Sequence, residues 1–366
     1  MIAVIGWRNF LLSKDAISEH CSEVYRRLVD KGWKFIIFVK HSVPQSQYKG
    51  IKLVYIPTLK IKFLETPIYA ILSLLWLITH KSAKSGLVHI HTIGCSFILP
   101  FLKFLGYKVV VTHHGPDYVR TKWNFIEKQI LKLCEKIVVM YADEIFCIAV
   151  WIKYFIEQNY NKPVTCTPNG IGIKLRKLTR NYIKQFALSP GNYFLCVGGF
   201  VPEKGFLDVV RAFNGIEDKE GWKLVLAGTG IVHQKYLKQI RYESKPNPDI
   251  IIIPETLPEM MEELFSNAGV FVTTSHYEAA PTYLITAIGY NLPVIASSID
   301  ANIMVGKEYA YYYPQGHIFG LRYYLKKAIR KELQFRTFNR DLVLDYDWNK
   351  VTSIVEDVYL RLLSLK

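Results

Sequence analysis

The stretch from Thr274 to Ala296, TSHYEAAPTYLITAIGYNLPVIA, reads as loop, helix, turn and strand in quick succession. A polar segment ends in Glu278, two alanines follow, and Pro281 stands where the first residue of a helix tolerates it. Leu284, Ile285, Ala287 and Ile288 are compact enough to lie against a sheet. Asn291-Leu-Pro293 stops the helix, and Val294-Ile-Ala296 has the brevity and β-branching of a buried parallel strand. A helix start facing a carboxylate, at the carboxyl end of a strand, suits a phosphorylated ligand. The same residues suit an ordinary βαβ turn with a surface glutamate, and this stretch alone leaves both readings open.

Working outward, the same alternation runs through the whole chain. Upstream in the second half, Tyr193–Val197, Lys223–Ala227, Asp249–Ile253 and Val270–Thr273 read as short strands. Helical patterns ending near Phe213 and spanning Glu259–Ser266 separate them. The first half repeats the plan with strands at Ile2–Ile5, Lys34–Val39, Ile51–Ile56, Leu87–His91, Lys108–Thr112, Glu144–Ile148 and Val164–Thr167. Its longest helical pattern is expected from about Lys122 to Tyr141. Short apolar strands alternating with helices indicate an α/β fold, a parallel sheet covered on both faces. Pro168-Asn-Gly170 is the best boundary, followed by a basic linker. The expected domains are therefore Met1 to Pro168 and Asn169 to Asp347, with an amphipathic last helix from Trp348 lying far from its own sheet in sequence.

A chain of 366 residues is long enough for two sizeable cores. Its six cysteines are scattered without a CxxC pair, so they read as buried thiols in a reducing compartment rather than a disulfide framework or zinc site. The opening MIAVIGWRNF has no basic segment ahead of its apolar residues, and no secretory signal is expected. The most lipid-like run, Ile68 to Ile78, is too short to span a bilayer and fits a buried or interfacial helix. Net charge is +15, and it is uneven: 22 Lys and Arg against 11 Asp and Glu precede Pro168. Such a half can face anionic lipid, a phosphorylated acceptor or nucleic acid, the last disfavoured because no recognition motif accompanies the charge.

Candidate site residues cluster at strand ends. In the second half these are Gly198-Gly199 with Lys204, Gly228-Thr-Gly230, and Glu278. Glycines let backbone N–H groups approach phosphate, and an ammonium neutralises it. In the first half, His91 and His113-His114 end two strands, where imidazoles can donate to an oxyanion or a sugar hydroxyl. No third ligand is spaced for metal, and no Gly-x-Ser-x-Gly elbow or Walker loop is present.

Seven motifs together resemble glycosyltransferase family 4. They are HIHTIG from His89, VVVTHHGPDYVRTKW from Val109, YADEIFCIA from Tyr141, TPNGI from Thr167, VGGFVPEKG from Val197, LVLAGTG from Leu224, and the opening stretch. The resemblance implies a GT-B fold, two Rossmann-like domains facing a cleft with the C-terminal helix crossing back to the first. It implies retaining transfer of a sugar from a nucleotide diphosphate donor to a glycan or lipid-linked acceptor, with no cofactor and no essential metal. The form from His114 to Trp123 is similar to transferases that build bacterial surface polysaccharides, which places the expected site of action in the cytoplasm, peripherally at the inner membrane face. Carried over by position, His114 and Glu278 are the expected catalytic pair. Lys204, Gly198, Gly199, Gly228, Ala279, Ala280, Thr282 and Thr286 are expected on the donor side, and His91, His113, Asp117, Arg120 and Lys122 on the acceptor side.

Three positions depart from the family pattern. The second acid, which holds the ribose hydroxyls, falls at Thr286. The usual arginine before Pro-Glu-Lys-Gly falls at Gly199, and the glycine-rich first loop is replaced by Trp7-Arg-Asn9 and a polar run without glycine. These departures keep a second expectation open, a degenerate family member acting as a binding or partner subunit.

Overall fold

The computed structural model describes residues 1–7, 16–40, 49–58, 61, 64–80, 86–119, 123–171, 179–335 and 344–364. The expected site residues Arg120 and Lys122, and most of the first loop, lie outside them. The chain divides into two compact units, Met1–Gly170 with Trp348–Lys366, and Ile171–Asp347. In order, the first carries β1 (Ile2–Ile5), α1 (Ala16–Asp30), β2 (Phe35–Val39), β3 (Ile51–Tyr55), α2 (Glu65–Thr79), β4 (Leu87–Ile90) and α3 (Leu99–Phe104). It continues through β5 (Lys108–His113), α4 (Phe125–Tyr141), β6 (Glu144–Cys147), α5 (Val150–Tyr160) and β7 (Thr165–Cys166). The second carries α6 (Asn181–Gln185), β8 (Tyr193–Phe200), α7 (Phe206–Asn214), β9 (Lys223–Val232), α8 (Gln234–Ser244), β10 (Ile250–Ile253) and α9 (Pro258–Asn267). Then follow β11 (Val270–Thr273), α10 (Thr282–Gly289), β12 (Val294–Ser297), α11 (Asp300–Gly306), β13 (Ala310–Tyr313) and α12 (Ile318–Ile329). The last helix, α13 (Trp348–Ser364), belongs to the first unit.

Among the described residues the first sheet has seven strands in the order β3-β2-β1-β4-β5-β6-β7, and the second six in the order β10-β9-β8-β11-β12-β13. Every pairing is parallel. Apolar strands such as IAVI in β1 and FIIFV in β2 are buried at every position, as helices on both faces of a parallel sheet require. All six cysteines are free thiols, five of them buried.

The sequence reading is revised at one helix start by local capping and at two strand ends by their pairing. The long helix starts at Phe125 rather than near Lys122 because Asn124 and Glu127 form a capping box. The strands expected to stop at Val197 and Ala227 run on to Phe200 and Val232, paired to each other beyond a register shift between Gly198 and Phe200. The two glycine pairs expected after the strands therefore lie inside them. A third difference is small: Pro281 caps α10, and Thr282 is its first helical residue.

The return of α13 to the first unit follows from its apolar stripe. Trp348, Val351, Val355, Tyr359 and Leu362 are buried and share a core with Tyr25, Leu28, Phe35 and Phe146. Polar contacts set its register: Trp33 Nε1 donates to Glu356 at 2.9 Å, and Arg27 Nε donates to Asn349 at 3.2 Å. Gly170 admits the helix start, since a Cβ there would lie 2.4 Å from the Trp348 ring.

Candidate functional site

In the second unit, the site is assembled where β8, β11 and the start of α10 end. After β8 the chain makes a short 3-10 turn, Pro202–Lys204, and Gly205 follows at φ +64°. A Cβ at Gly205 would fall 2.1 Å from the Thr274 carbonyl oxygen, so only glycine lets the two loops touch. Thr274 Oγ1 donates to the Lys204 carbonyl at 2.9 Å, and the His276 amide donates to the Glu203 carbonyl at 2.8 Å. These bonds lock the Lys204 turn to the Glu278 loop. The Lys204 ammonium is ion-paired with Glu278 Oε1, which also accepts from Ser275 Oγ at 2.7 Å. The pair is mostly shielded, with side-chain exposures of 22% and 11%. Below it, His276 Nε2 meets Asp208 Oδ2 at 2.6 Å, and that bond raises the His276 pKa above its ordinary value against the opposing effect of burial.

The remaining donor-side residues occupy several roles. Gly198 lies under the Lys204 side chain, where a Cβ would come within 3.2 Å of its Cδ. A Cβ on Gly199 would stand 3.0 Å from the Ile231 carbonyl oxygen, because the prolonged β9 passes beside it. An arginine at that position would need β9 to shift, which gives the departure at Gly199 a structural basis. Gly228 is tied down by Thr256, whose hydroxyl donates to its carbonyl at 2.8 Å. Ala279, Ala280 and Thr282 are half-buried around the start of α10. The Thr286 hydroxyl donates to the Thr282 carbonyl at 2.8 Å, so its proton is committed within the helix and it can offer an outside group only a lone pair.

In the first unit, the strand-end histidines belong to a larger buried cluster. His91 Nδ1 is 3.4 Å from His114 Nε2, and His91 Nε2 is 2.5 Å from the Tyr25 hydroxyl. His89 Nδ1 meets both Tyr25 at 2.9 Å and Tyr359 at 2.5 Å, while its Nε2 meets Thr112 Oγ1 at 2.7 Å. His20 sits edge-on to His114, ring centres 5.9 Å apart, with Nδ1 3.1 Å from Asn169 Oδ1. Burial pushes His89 and His91 well below the ordinary imidazole range and lowers His20 to about 4. All three are neutral at pH 7. His113 faces elsewhere: its Nε2 is 2.9 Å from Glu135, and its Nδ1 accepts from the Gly115 amide at 3.2 Å. Burial works to raise the Glu135 pKa, but bonds from His113, Tyr160 and Tyr118 together hold it below the ordinary carboxylate value. Asp117 accepts from Trp123 Nε1 at 3.0 Å.

Sequence reasoning singled out His91, His113 and His114 and missed His20, Tyr25, His89, Glu135, Asn169 and Tyr359 as their partners. His89 had a local signal, since residues two apart on a strand share a face with His91. Asn169 lies in the loop after β7, inside the Pro168-Asn-Gly170 segment, and His20, Tyr25, Glu135 and Tyr359 come from helices and carry none.

Comparison with known proteins gives two family matches. Residues 17–175 match the model described as Glycosyltransferase Family 4, and residues 179–319 match Glycosyl transferases group 1. The amylovoran biosynthesis glycosyltransferase AmsD of Erwinia amylovora is 31% identical over 105 residues, 29% of this chain and 29% of that protein. The curated relatives matched are covered over less than half of their own length. A sucrose-phosphate synthase of Thermosynechococcus elongatus superposes with TM-score 0.82 at 17% identity, covering 100% of this chain and 99% of the other. Anabaena HepE, in its complex with UDP-glucose, superposes with TM-score 0.74 at 12% identity over 98% and 99% of the two chains. Paired parallel sheets, the returning C-terminal helix and matches that take in most of the sequence lead to one assignment: the chain belongs to glycosyltransferase family 4 and has the GT-B fold.

Proposed function

We propose that the protein is a retaining glycosyltransferase that moves a sugar from a nucleoside diphosphate to a glycan or lipid-linked acceptor in building a bacterial surface polysaccharide. The observation that carries this reading is the shielded Lys204–Glu278 pair, held between the ends of β8 and β11. Lys204 supplies the positive charge that a departing diphosphate needs, and Glu278 supplies an acceptor for sugar hydroxyls. A nucleotide sugar as partner agrees with the UDP-glucose bound by HepE, and a polysaccharide product with the name of AmsD. The reaction is proposed to need no metal, because the lysine meets the developing charge. Calorimetry with UDP-, GDP- and dTDP-sugars tests the reading. Saturable binding of one of them is expected, lost in Lys204→Ala and Glu278→Gln and unchanged by EDTA. No heat from any of them at millimolar concentration overturns it.

A second reading, a binding or partner subunit without transfer activity, is favoured by the closed space at Gly199 and the committed hydroxyl of Thr286. Sugar transfer by the purified chain alone to a lipid-linked acceptor excludes it.

We also propose that the first unit attaches peripherally to an anionic membrane. Among the described residues no helix is long and apolar enough to cross one. The supporting observation lies on α4, whose outward side carries the exposed stripe Ile126, Ile130, Leu133 and Met140 next to Lys132 and Lys136. The run first suspected, in α2, contributes Ile71, Leu75 and Ile78, while Leu74 and Leu77 are turned inward. An apolar stripe flanked by lysines is the pattern of an interfacial helix. Co-sedimentation with anionic over neutral vesicles, reduced in Leu133→Glu, is expected. Equal recovery with both vesicle types rejects it.

A further inference from the structure

The turn that closes β5, from His113 to Val119, carries His114 and Asp117, and one buried carboxylate holds it. That carboxylate is Glu135 on α4, with 0% exposure. Its Oε2 is 2.9 Å from His113 Nε2, and its Oε1 accepts from the Tyr118 hydroxyl at 3.1 Å and the Tyr160 hydroxyl at 2.6 Å. His113 ends β5, Tyr118 lies in the short 3-10 turn Asp117–Val119, and Tyr160 ends α5. One side chain thus ties a strand end, the turn after it and a neighbouring helix together.

The direction of each bond is fixed. The Gly115 amide points at His113 Nδ1 from 3.2 Å, and a backbone amide can only donate. Nδ1 therefore accepts, which places the ring proton on Nε2 and makes His113 the donor to Glu135. Gly115 stands at φ +99°, a conformation that glycine adopts without strain, and so its amide can turn back to the ring. The two phenols donate to the other carboxylate oxygen, since a carboxylate only accepts. All three donor protons end on Glu135. A buried carboxylate is a poor source of net stability, because desolvation offsets most of what its bonds return. Three converging charge-assisted bonds do supply geometry.

We infer that Glu135 is the positioning residue of the His113–Val119 turn, held to it through His113 and Tyr118, and that it sets where His114 and Asp117 stand. Both His113 nitrogens are engaged and the residue is 0% exposed, so His113 acts as a tether rather than a contact for the acceptor. Asp117 provides a reporter, because its Oδ2 accepts from Trp123 Nε1 at 3.0 Å. For catalysis the consequence rests on the glycosyltransferase reading: releasing the turn weakens use of the acceptor and leaves nucleotide-sugar binding by Lys204 and Glu278 intact. The Trp123 reporter needs no substrate, so failure of one reading is distinguishable from failure of the other.

The test is hydrogen exchange at the Trp123 indole, read by nitrogen-15 spectroscopy of the full chain and assigned by the signal lost in Trp123→Phe. Glu135→Gln keeps the shape of the side chain and removes its charge, while Tyr118→Phe removes the hold on the turn. Both are expected to speed exchange on the order of tenfold. Tyr160→Phe is the control. It removes the shorter bond to the same oxygen but belongs to α5, so it is expected to lower urea-measured stability and leave Trp123 exchange unchanged. Exchange that follows stability in all three variants indicates a structural role alone and overturns the inference. Wild-type exchange in Glu135→Gln overturns it too, as does a proton on His113 Nδ1 in wild-type protein with labelled histidine rings. Should Glu135→Gln not fold, Tyr118→Phe set against Tyr160→Phe decides.

Discussion

The two units end their parallel sheets in opposite chemistry. The first gathers neutral rings in a desolvated cluster, with His20, His89 and His91 nearly or fully inaccessible to solvent. The second sets an ammonium against a carboxylate in a mostly shielded loop, beside a His276–Asp208 bond that favours the charged imidazole. Similar folds thus produce one edge that must stay uncharged and one that works through charge. The first suits precise hydrogen bonding, because neutral buried donors and acceptors hold one geometry. The second suits an anionic ligand, because its charges are close to solvent and can exchange partners.

Acid should separate the two edges most sharply. His20, His89 and His91 are held below an unfolded pKa of about 6.5, so their contribution is complete above that pH and is lost as pH falls toward the folded values. For His20 that value is about 4. By pH 4.5 His20 is expected to remove roughly 2–3 kcal/mol, and His89 and His91 act in the same direction. Urea titrations from pH 7 to 4.5 should show that unfolding takes up protons and that stability falls with pH. A stability curve that is flat over this range contradicts a neutral cluster.

The next effect concerns the loop contact in the second unit. Gly205→Ala places a methyl group against the Thr274 carbonyl in a left-handed backbone, and should cost about 2–4 kcal/mol. It should also weaken nucleotide-sugar binding by releasing Lys204. A variant within 0.5 kcal/mol of wild type, an order-of-magnitude threshold of about the surface-substitution range, would mean the loops do not need that contact.

Smaller still is the gain expected from Thr286→Glu. Restoring a charged acceptor for ribose hydroxyls should tighten nucleotide-sugar binding by about 1–2 kcal/mol, measured by calorimetry. Unchanged affinity would place the ribose away from α10. The smallest effect involves His276. Its pKa is raised by Asp208, so its contribution is present below pH 6.5 and fades as pH rises through the folded value. Asp208→Asn should therefore narrow its stability gap to wild type between pH 6 and 9, by less than about 1 kcal/mol given the exposure of the ring. A gap that widens over that interval would reverse the assignment.

Much of this architecture was legible in the residues. Runs such as IAVI and FIIFV mark buried parallel strands, and the stripe from Trp348 to Leu362 marks a helix that must find a partner. Lys204 and Glu278 stood out because charge at strand ends is visible locally. The glycine pairs were harder, since the extension of β8 and β9 to Phe200 and Val232 depends on strand pairing that one segment cannot reveal.

The sequence by itself determined the family, the two parallel sheets, and the residue types at their carboxyl ends, because periodicity and short motifs are local properties. Only the tertiary structure decided what those residues do to each other. Tyr25 and Tyr359 reach His89 across 64 and 270 residues of chain, and Lys204 meets Glu278 across 74. Hydrogen-bond direction, tautomer and ion pairing depend on what lies within about 3 Å in space, which no spacing along the chain records.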